Sequence, residues 1–149
     1  MIISSLKAIF NRDLKRLADE INTYKSDYAL WVTEKGIPNS AGNLCLHLIG
    51  NLKTYVGREL GKIDYERNRE LEFSSKDTSR FELLRQLDET TKIVNTSLDG
   101  LDDEDLLNDY PLIVFEDKMS TGYFLIHLTT HLGYHLGQIN YHRRLVGNL

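Results

Sequence analysis

Apolar residues recur at every third or fourth position along four long stretches of this 149-residue chain, and this spacing restricts its fold more than any other feature. The first stretch carries nine apolar residues between Ile3 and Trp31, separated only by steps of three or four. Such a period gives an α-helix one apolar face, whereas a half-buried strand alternates every two residues. The pattern predicts a first helix over residues 3–31, ended by the glycine and proline of residues 36–38.

The other three stretches have start and stop signals of their own. Polar residues 39–43 offer cap chemistry before a second helix that ends at Gly61. Ser79 and Glu82 form a capping box at the start of a third helix that Gly100 closes, and Ser120 caps a last helix over residues 121–145. A polar connector is predicted at 62–77 and a short extended piece at 112–115. Four amphipathic helices predict one all-α domain over residues 1–149, folded as a four-helix bundle.

Composition and charge exclude several other classes of protein. The net charge of −4, with no cluster of Lys and Arg, argues against a nucleic-acid partner. No apolar run approaches the roughly 20 residues that cross a bilayer, so we expect no membrane association. The single cysteine, Cys45, has no partner for an internal disulfide and is predicted to be a small core residue. We therefore expect a cytoplasmic protein.

Histidines are the residues most suggestive of chemistry. His131 and His135 lie four residues apart among the apolar positions of the last helix, and His47 lies on the apolar stripe of the second helix. Because a buried imidazole without a partner is costly, their convergence predicts a divalent transition-metal site. Three neutral nitrogens would leave one position of the metal open. Hydrogen-bonded core histidines without a metal are the alternative.

The two remaining histidines are predicted to be non-ligands. His127 lies about 40° around the helix from His131, which moves it to the edge of the bundle. His142 lies near the end of the last helix, where a cation complements the helix dipole. The dyad of His131 and His135 has leucine at position 132, where a zinc protease of the HExxH type has its glutamate, so that class is not expected.

The histidine pattern resembles the DinB/YfiT-like superfamily. The resemblance rests on His47 in the second helix and on the run His131-x-x-x-His135-x-Gly137-Gln138. Residues 42–52 and the motif Arg67-x-Arg69-Glu70-x-Glu72-Phe73 resemble one uncharacterised branch. The resemblance implies a four-helix bundle whose second and last helices supply a three-histidine site. It also implies nickel or zinc, with iron as a further candidate, and a homodimer.

Characterised members of that superfamily transfer low-molecular-weight thiols in a metal-dependent reaction, and one group isomerises a small diacid with a thiol cofactor. The resemblance therefore implies a small-molecule substrate and a thiol cofactor. The chemistry agrees, because a metal with an open position lowers the pKa of a bound thiol or water. We expect a metal-dependent thiol S-transferase or a hydrolase. A non-catalytic metal-binding dimer with a structural or stress-related role, and a metal-free interaction module, are the alternatives.

Four residues are candidate neighbours of the metal or of a substrate. Gln138 follows His135 by one turn on the inner stripe of the last helix and either orients a ligand or packs. Arg67 and Arg69 form either an anion-binding patch or a solvated connector with mutual salt bridges. Tyr55, like Trp31, either lines a pocket or packs in the core or at a dimer contact. Trp31 and Ile113 are the apolar residues that a homodimer would use.

Overall fold

Helices and loops make up the whole of the computed structural model, which describes residues 1–149. The helices are α1 (Ile2–Thr23), α2 (Ala41–Leu52), α3 (Arg69–Ser74), α4 (Arg80–Asp99) and α5 (Thr121–Val146). A π-helical turn, Lys53–Arg58, continues α2. The chain has two isolated β-bridges and no strand, so the predicted all-α fold is confirmed.

Side-chain caps fix where the helices begin. The hydroxyl oxygens of Ser79 and Ser120 accept hydrogen bonds from the backbone N–H groups three residues on, at the starts of α4 and α5. Ser40 does the same for α2. Each cap satisfies a backbone donor that the helix itself leaves free, which is worth about 1 kcal/mol. The predicted starts of these helices are therefore confirmed.

The first helix is shorter than predicted. It ends at Thr23, and Tyr24 has extended backbone angles (φ −58°, ψ 140°). The hydroxyl of Tyr24 lies 2.7 Å from Nδ1 of His142, and these contacts with the end of α5 replace a continued helix. The apolar residues beyond it form a separate 3₁₀ turn, Tyr28–Trp31. Because that turn has another orientation, Tyr28 is exposed although it lies on the predicted stripe.

The two connectors also differ from the prediction. The polar connector contains the short helix α3, whose first turn is capped by the side chain of Asn68. Asn43 of α2 donates from its amide to the carbonyls of Glu72 and Ser75, which ties α3 to α2. Six residues are too few to show a helical period, so the sequence pattern missed α3. Residues 112–115 form no strand, and three of the four side chains are exposed.

The four long helices pack around one core. α1 contacts α4 and α5, and α2 contacts the same two helices from the other side. Each long helix contributes fully buried side chains, among them Phe10, Leu48, Leu83 and Phe124. No helix is long and apolar enough to cross a membrane. The contact between α2 and α5 is the one that positions the histidines.

Candidate metal centre

Three histidines from two helices converge where α2 packs against α5. His47 comes from α2, and His131 and His135 come from successive turns of α5. One ligating nitrogen from each lies within 4.8 Å of the others, and Nε2 of His47 is 3.2 Å from Nε2 of His131. Two nitrogens bound to one tetrahedral zinc ion at 2.0–2.1 Å are about 3.3 Å apart. The spacing therefore fits a shared metal ion.

The opposite ring nitrogens of two histidines are held by hydrogen bonds. Nδ1 of His47 lies 3.2 Å from Oε1 of Glu72, and Nδ1 of His135 lies 2.7 Å from Oε1 of Gln138. Because both partners are acceptors, each Nδ1 carries the hydrogen and each Nε2 keeps a lone pair for a cation. The buried Nδ1 of His131 has no hydrogen-bond partner. A cation bound by the cluster would instead contact Nε2 of His131, which faces only the ring nitrogen of another imidazole.

Burial favours the neutral form of the two α5 histidines. It lowers the pKa of His131 to about 4, and the neighbouring His135 and His47 add to the effect. Burial also lowers the pKa of His135, although its hydrogen bond to Gln138 opposes the shift. At neutral pH these rings are therefore uncharged, which is the form that binds a metal.

An ion pair of Glu72 with Arg67 contacts His47 at its Nδ1 atom. Nε of Arg67 lies 2.8 Å from Oε2 of Glu72, and a second guanidinium nitrogen lies 2.9 Å from Oε1. Burial alone would raise the pKa of Glu72, but hydrogen bonds from His47 and Arg67 outweigh it and hold that pKa below its ordinary value. Glu72 is thus an ionised acceptor that orients His47, a partner that metal-binding histidines commonly have.

Gly50 makes room for this carboxylate against α2. A Cβ at this position would lie 2.7 Å from Cδ of Glu72, closer still to its Oε2, and 3.3 Å from Nε of Arg67. Only glycine therefore lets the ion pair lie directly on the helix that carries His47. The amide of Asn43 holds the backbone of α3 at the same place. α2 therefore carries His47 and also provides, at Gly50, the space that its hydrogen-bond partner Glu72 occupies.

Comparison with known proteins gives a family. A family model described as a protein of unknown function, DUF1572, matches residues 2–148. The chain belongs to the DUF1572 family. None of the curated proteins matches it. Because the family description names no activity, a function for this DUF1572 chain has to be argued from the residues of the site.

The four residues predicted as neighbours of the metal or substrate lie in four different surroundings. Gln138 is exposed rather than on the inner stripe, yet it reaches His135. Arg67 is nearly buried against Glu72, so it is not part of a solvated connector. Tyr55 lies under Arg67, whose guanidinium carbon is 5.9 Å from the ring centroid. Arg69 is exposed at the start of α3 and makes no side-chain hydrogen bond.

The other two histidines of α5 have separate surroundings. His127 stands outside the group of three; its ring stacks on Phe124 at 5.8 Å and meets Phe115 edge-on at 5.0 Å. His142 is buried, with Nε2 donating to the Val32 carbonyl and Nδ1 accepting from Tyr24. It therefore ties the end of α5 to the loop after α1 and is not the surface cation that its position suggested.

The sequence patterns missed Glu72 as a partner of His47. They placed it in the polar connector, together with Glu70, because both follow the same arginines. Glu72 is buried and Glu70 is exposed, and this difference arises only because residues 69–74 are helical. The one available signal was the Asn68 cap three residues before Leu71, which marks a helix start.

Proposed function

We propose that this DUF1572 protein binds one divalent transition metal through His47, His131 and His135 and uses it to transform a small molecule. The observation that carries the proposal is a cluster of three imidazoles that no carboxylate or thiol joins. Structural zinc sites have four protein ligands, whereas catalytic sites have three and an open position. Imidazole ligands accept zinc, nickel and iron alike, and the superfamily resemblance favours nickel or zinc, with iron as a further candidate.

The residues around the cluster bind and orient rather than transfer protons. Glu72 is held by Arg67 and His47, so it is not free to act as a general base. Gln138 carries no charge and fixes the ring of His135. A bound divalent metal would lower the pKa of a thiol or water at its open position, which suits nucleophilic chemistry. Metal-dependent S-transfer from a low-molecular-weight thiol, or hydrolysis, is therefore the proposed reaction.

The resemblance to the DinB/YfiT-like superfamily supports this proposal. It rests on the same three histidines that converge in the structure. Superfamily members with known activities use a thiol cofactor. We therefore also propose a cytoplasmic location, where low-molecular-weight thiols are available. The fold itself needs no disulfide, because Cys45 is free and buried, and burial raises the pKa of its thiol to about 12.

Metal removal gives a direct test of the function. We expect a chelator to lower the melting temperature by roughly 5–10 °C, because a ligand at 100 times its Kd stabilises the native state by about 2.7 kcal/mol. Turnover in a screen of thiols with neutral electrophiles should disappear with the metal and return when it is restored. A melting shift without turnover, and without binding of any added thiol, would favour a non-catalytic role.

We also propose a homodimer, formed through the outer face of α5. Five side chains on this face are between 52% and 66% exposed, namely Tyr123, Ile126, Tyr134, Tyr141 and Leu145. The only charged residues of α5 are Arg143 and Arg144, at its end. The outer face of α4 is instead covered by ion pairs of Arg85 and Lys92 with acidic neighbours. Because α5 is apolar on both faces, we expect a partner to bury its outer face.

A second copy of the chain fits this face. A two-fold axis near Gly133 and Tyr134 would set two α5 helices antiparallel, with a small residue where they cross. Arg144 would then face the Tyr123 end of the other copy, beside the acidic residues Glu116 and Asp117. The five exposed side chains, at about 100 Å² each, supply more than half of the roughly 800 Å² per partner of a stable interface. Charge and area therefore both support self-association.

A charge on this face should prevent the dimer. We expect Tyr134→Arg to convert the wild-type dimer into a monomer of 17.2 kDa, since an unpaired cation would be buried at the contact. Light scattering coupled to gel filtration measures the mass. The control is Phe81→Arg, because Phe81 is 79% exposed on α4. A monomeric wild type, or a Phe81→Arg variant that also dissociates, contradicts the proposed interface.

The predicted dimer residues Trp31 and Ile113 are not among the five exposed side chains of the α5 face. Trp31 packs its ring against Gly42 and donates from Nε1 to the carbonyl of Thr78. It is therefore used within the chain. Ile113 is exposed in the loop before α5.

A further inference from the structure

A groove of about 280 Å³ lies between the start of α2 and the end of α5. It is lined by residues 36–39 and by Leu44, Gln138, Tyr141, His142 and Leu145. Tyr141 and Leu145 also belong to the proposed dimer face, so a second copy would close that edge of the groove. Leu44 precedes His47 by about one turn of α2, and Gln138 follows His135 by about one turn of α5. The groove therefore begins about one helical turn, or 5 Å, from the histidine cluster.

The walls of this α2–α5 groove are held in place without a ligand. Residues 34–37 form a tight turn in which the N–H of Ile37 donates to the carbonyl of Glu34 at 2.9 Å. Gly36 has a φ of +82° in this turn, which favours glycine. On the opposite wall, both ring nitrogens of His142 are hydrogen-bonded to the chain. The groove is therefore largely pre-formed, as ligand sites usually are.

The lining of the groove carries no charged residue. None of its nine residues is Asp, Glu, Lys or Arg, although these make up 27% of the chain. Leu44 is almost fully buried and forms an apolar floor. A phosphate or carboxylate would lose hydration here and find no charged side chain in the lining to pair with, whereas an alkyl or aryl group would be stabilised by burial.

Gln138 connects the groove to the cluster. Its Oε1 accepts the hydrogen on Nδ1 of His135, so its amide N–H groups remain free to donate. A ligand in the groove can therefore meet one hydrogen-bond donor at the end nearest the cluster. Gln138 acts as a positioning residue that holds both His135 and the ligand.

We propose that the α2–α5 groove binds the uncharged, apolar arm of the substrate whose reactive group reaches the histidine cluster. The substrate class is thus a small neutral molecule with an alkyl or aryl arm, and not a phosphorylated or polyanionic one. This inference rests on the proposed function, because it assumes that the cluster is where the reactive group binds.

Chain-length dependence tests the groove. Straight-chain thiols from ethanethiol to hexanethiol are titrated into cobalt(II)-loaded protein, and the change in cobalt absorption gives the Kd. We expect the Kd to fall about fourfold for each added methylene until the groove is filled. The charged 3-mercaptopropionate should bind no better than ethanethiol. Cys45 does not compete, because its side chain is fully buried in the core.

A matched pair of variants locates the effect. Ile37→Asp places a charge in the groove wall, and we expect it to remove the chain-length dependence without loss of bound metal. Leu107→Asp makes a comparable change at an exposed residue outside the groove and should keep the dependence. A second readout uses metal-free protein, where 1-hexanol should shift the NMR signals of the Ile37 and Leu44 methyl groups.

The outcomes separate this inference from the proposed function. If thiols bind the cobalt protein but their Kd does not fall with chain length, the groove proposal is wrong and the metal site is unaffected. The same conclusion follows if the Kd still falls with chain length in Ile37→Asp. Failure of the protein to bind metal or any thiol overturns the proposed function instead. In that case the NMR experiment with 1-hexanol still tests the groove. If the methyl signals of Ile37 and Leu44 do not shift, the proposal that the groove binds an apolar group is wrong.

Discussion

The His131→Ala variant is expected to purify with almost no metal, whereas wild-type protein should carry about one equivalent. Nε2 of His131 lies 3.2 Å from Nε2 of His47, so the substitution leaves two imidazoles where three converge. Loss of an outer hydrogen-bond partner costs metal sites about 10- to 100-fold in affinity, and loss of a ligand should cost more. This is the largest effect that we expect from any single substitution in the chain.

Elemental analysis of untagged protein measures this effect. The control is His127→Ala, which removes a histidine from the preceding turn of the same helix but from outside the cluster. It should keep the wild-type metal content. His47→Ala should lose the metal as His131→Ala does, which would tie α2 and α5 to one site. Metal retained in His131→Ala, or lost in His127→Ala, contradicts the proposed ligand set.

The main helices and the convergence of the histidines could be predicted because both follow from a local period. Two histidines four residues apart face the same way on any helix, and the apolar neighbours of His131 indicate which way that is. The starts of α4 and α5 were equally local, since Ser79 and Ser120 cap them. The end of α1 was not, because the contact between Tyr24 and His142 joins residues 118 positions apart.

The surroundings of the histidines could not be predicted, because they also depend on contacts between residues that are far apart in the chain. Glu72 and Glu70 are chemically alike and two residues apart, and only the path of α3 decides which one reaches His47. Gln138 was expected on the inner stripe, yet it is exposed and still reaches His135 along the edge of α5. A helical period predicts which face a residue lies on, but hydrogen-bond partners depend on how separate elements meet.

Gly50→Ala is expected to lower metal affinity about 10- to 100-fold, as much as removal of the Glu72 carboxylate by Glu72→Ala. A Cβ at residue 50 would lie 2.7 Å from Cδ of Glu72, so the carboxylate must shift, and we expect the shift to break its contact with Nδ1 of His47. Glycine to alanine within a helix ordinarily stabilises it by about 1 kcal/mol. A loss of metal affinity in Gly50→Ala would therefore reflect the displaced ion pair and not a weakened α2.

Competition with a chelating dye measures the metal affinity of each variant. Gly137→Ala is the control, because a Cβ there meets no atom within 4 Å, and its affinity should equal that of wild type. If Gly50→Ala acts through Glu72, adding it to Glu72→Ala should cost little more, since two changes to one contact are not additive. Fully additive losses, or an unchanged affinity in Gly50→Ala, would mean that residue 50 does not act through the Glu72 carboxylate. An unchanged affinity in Glu72→Ala would mean that the carboxylate does not orient His47 and that its ion pair with Arg67 serves only to hold α3 on α2.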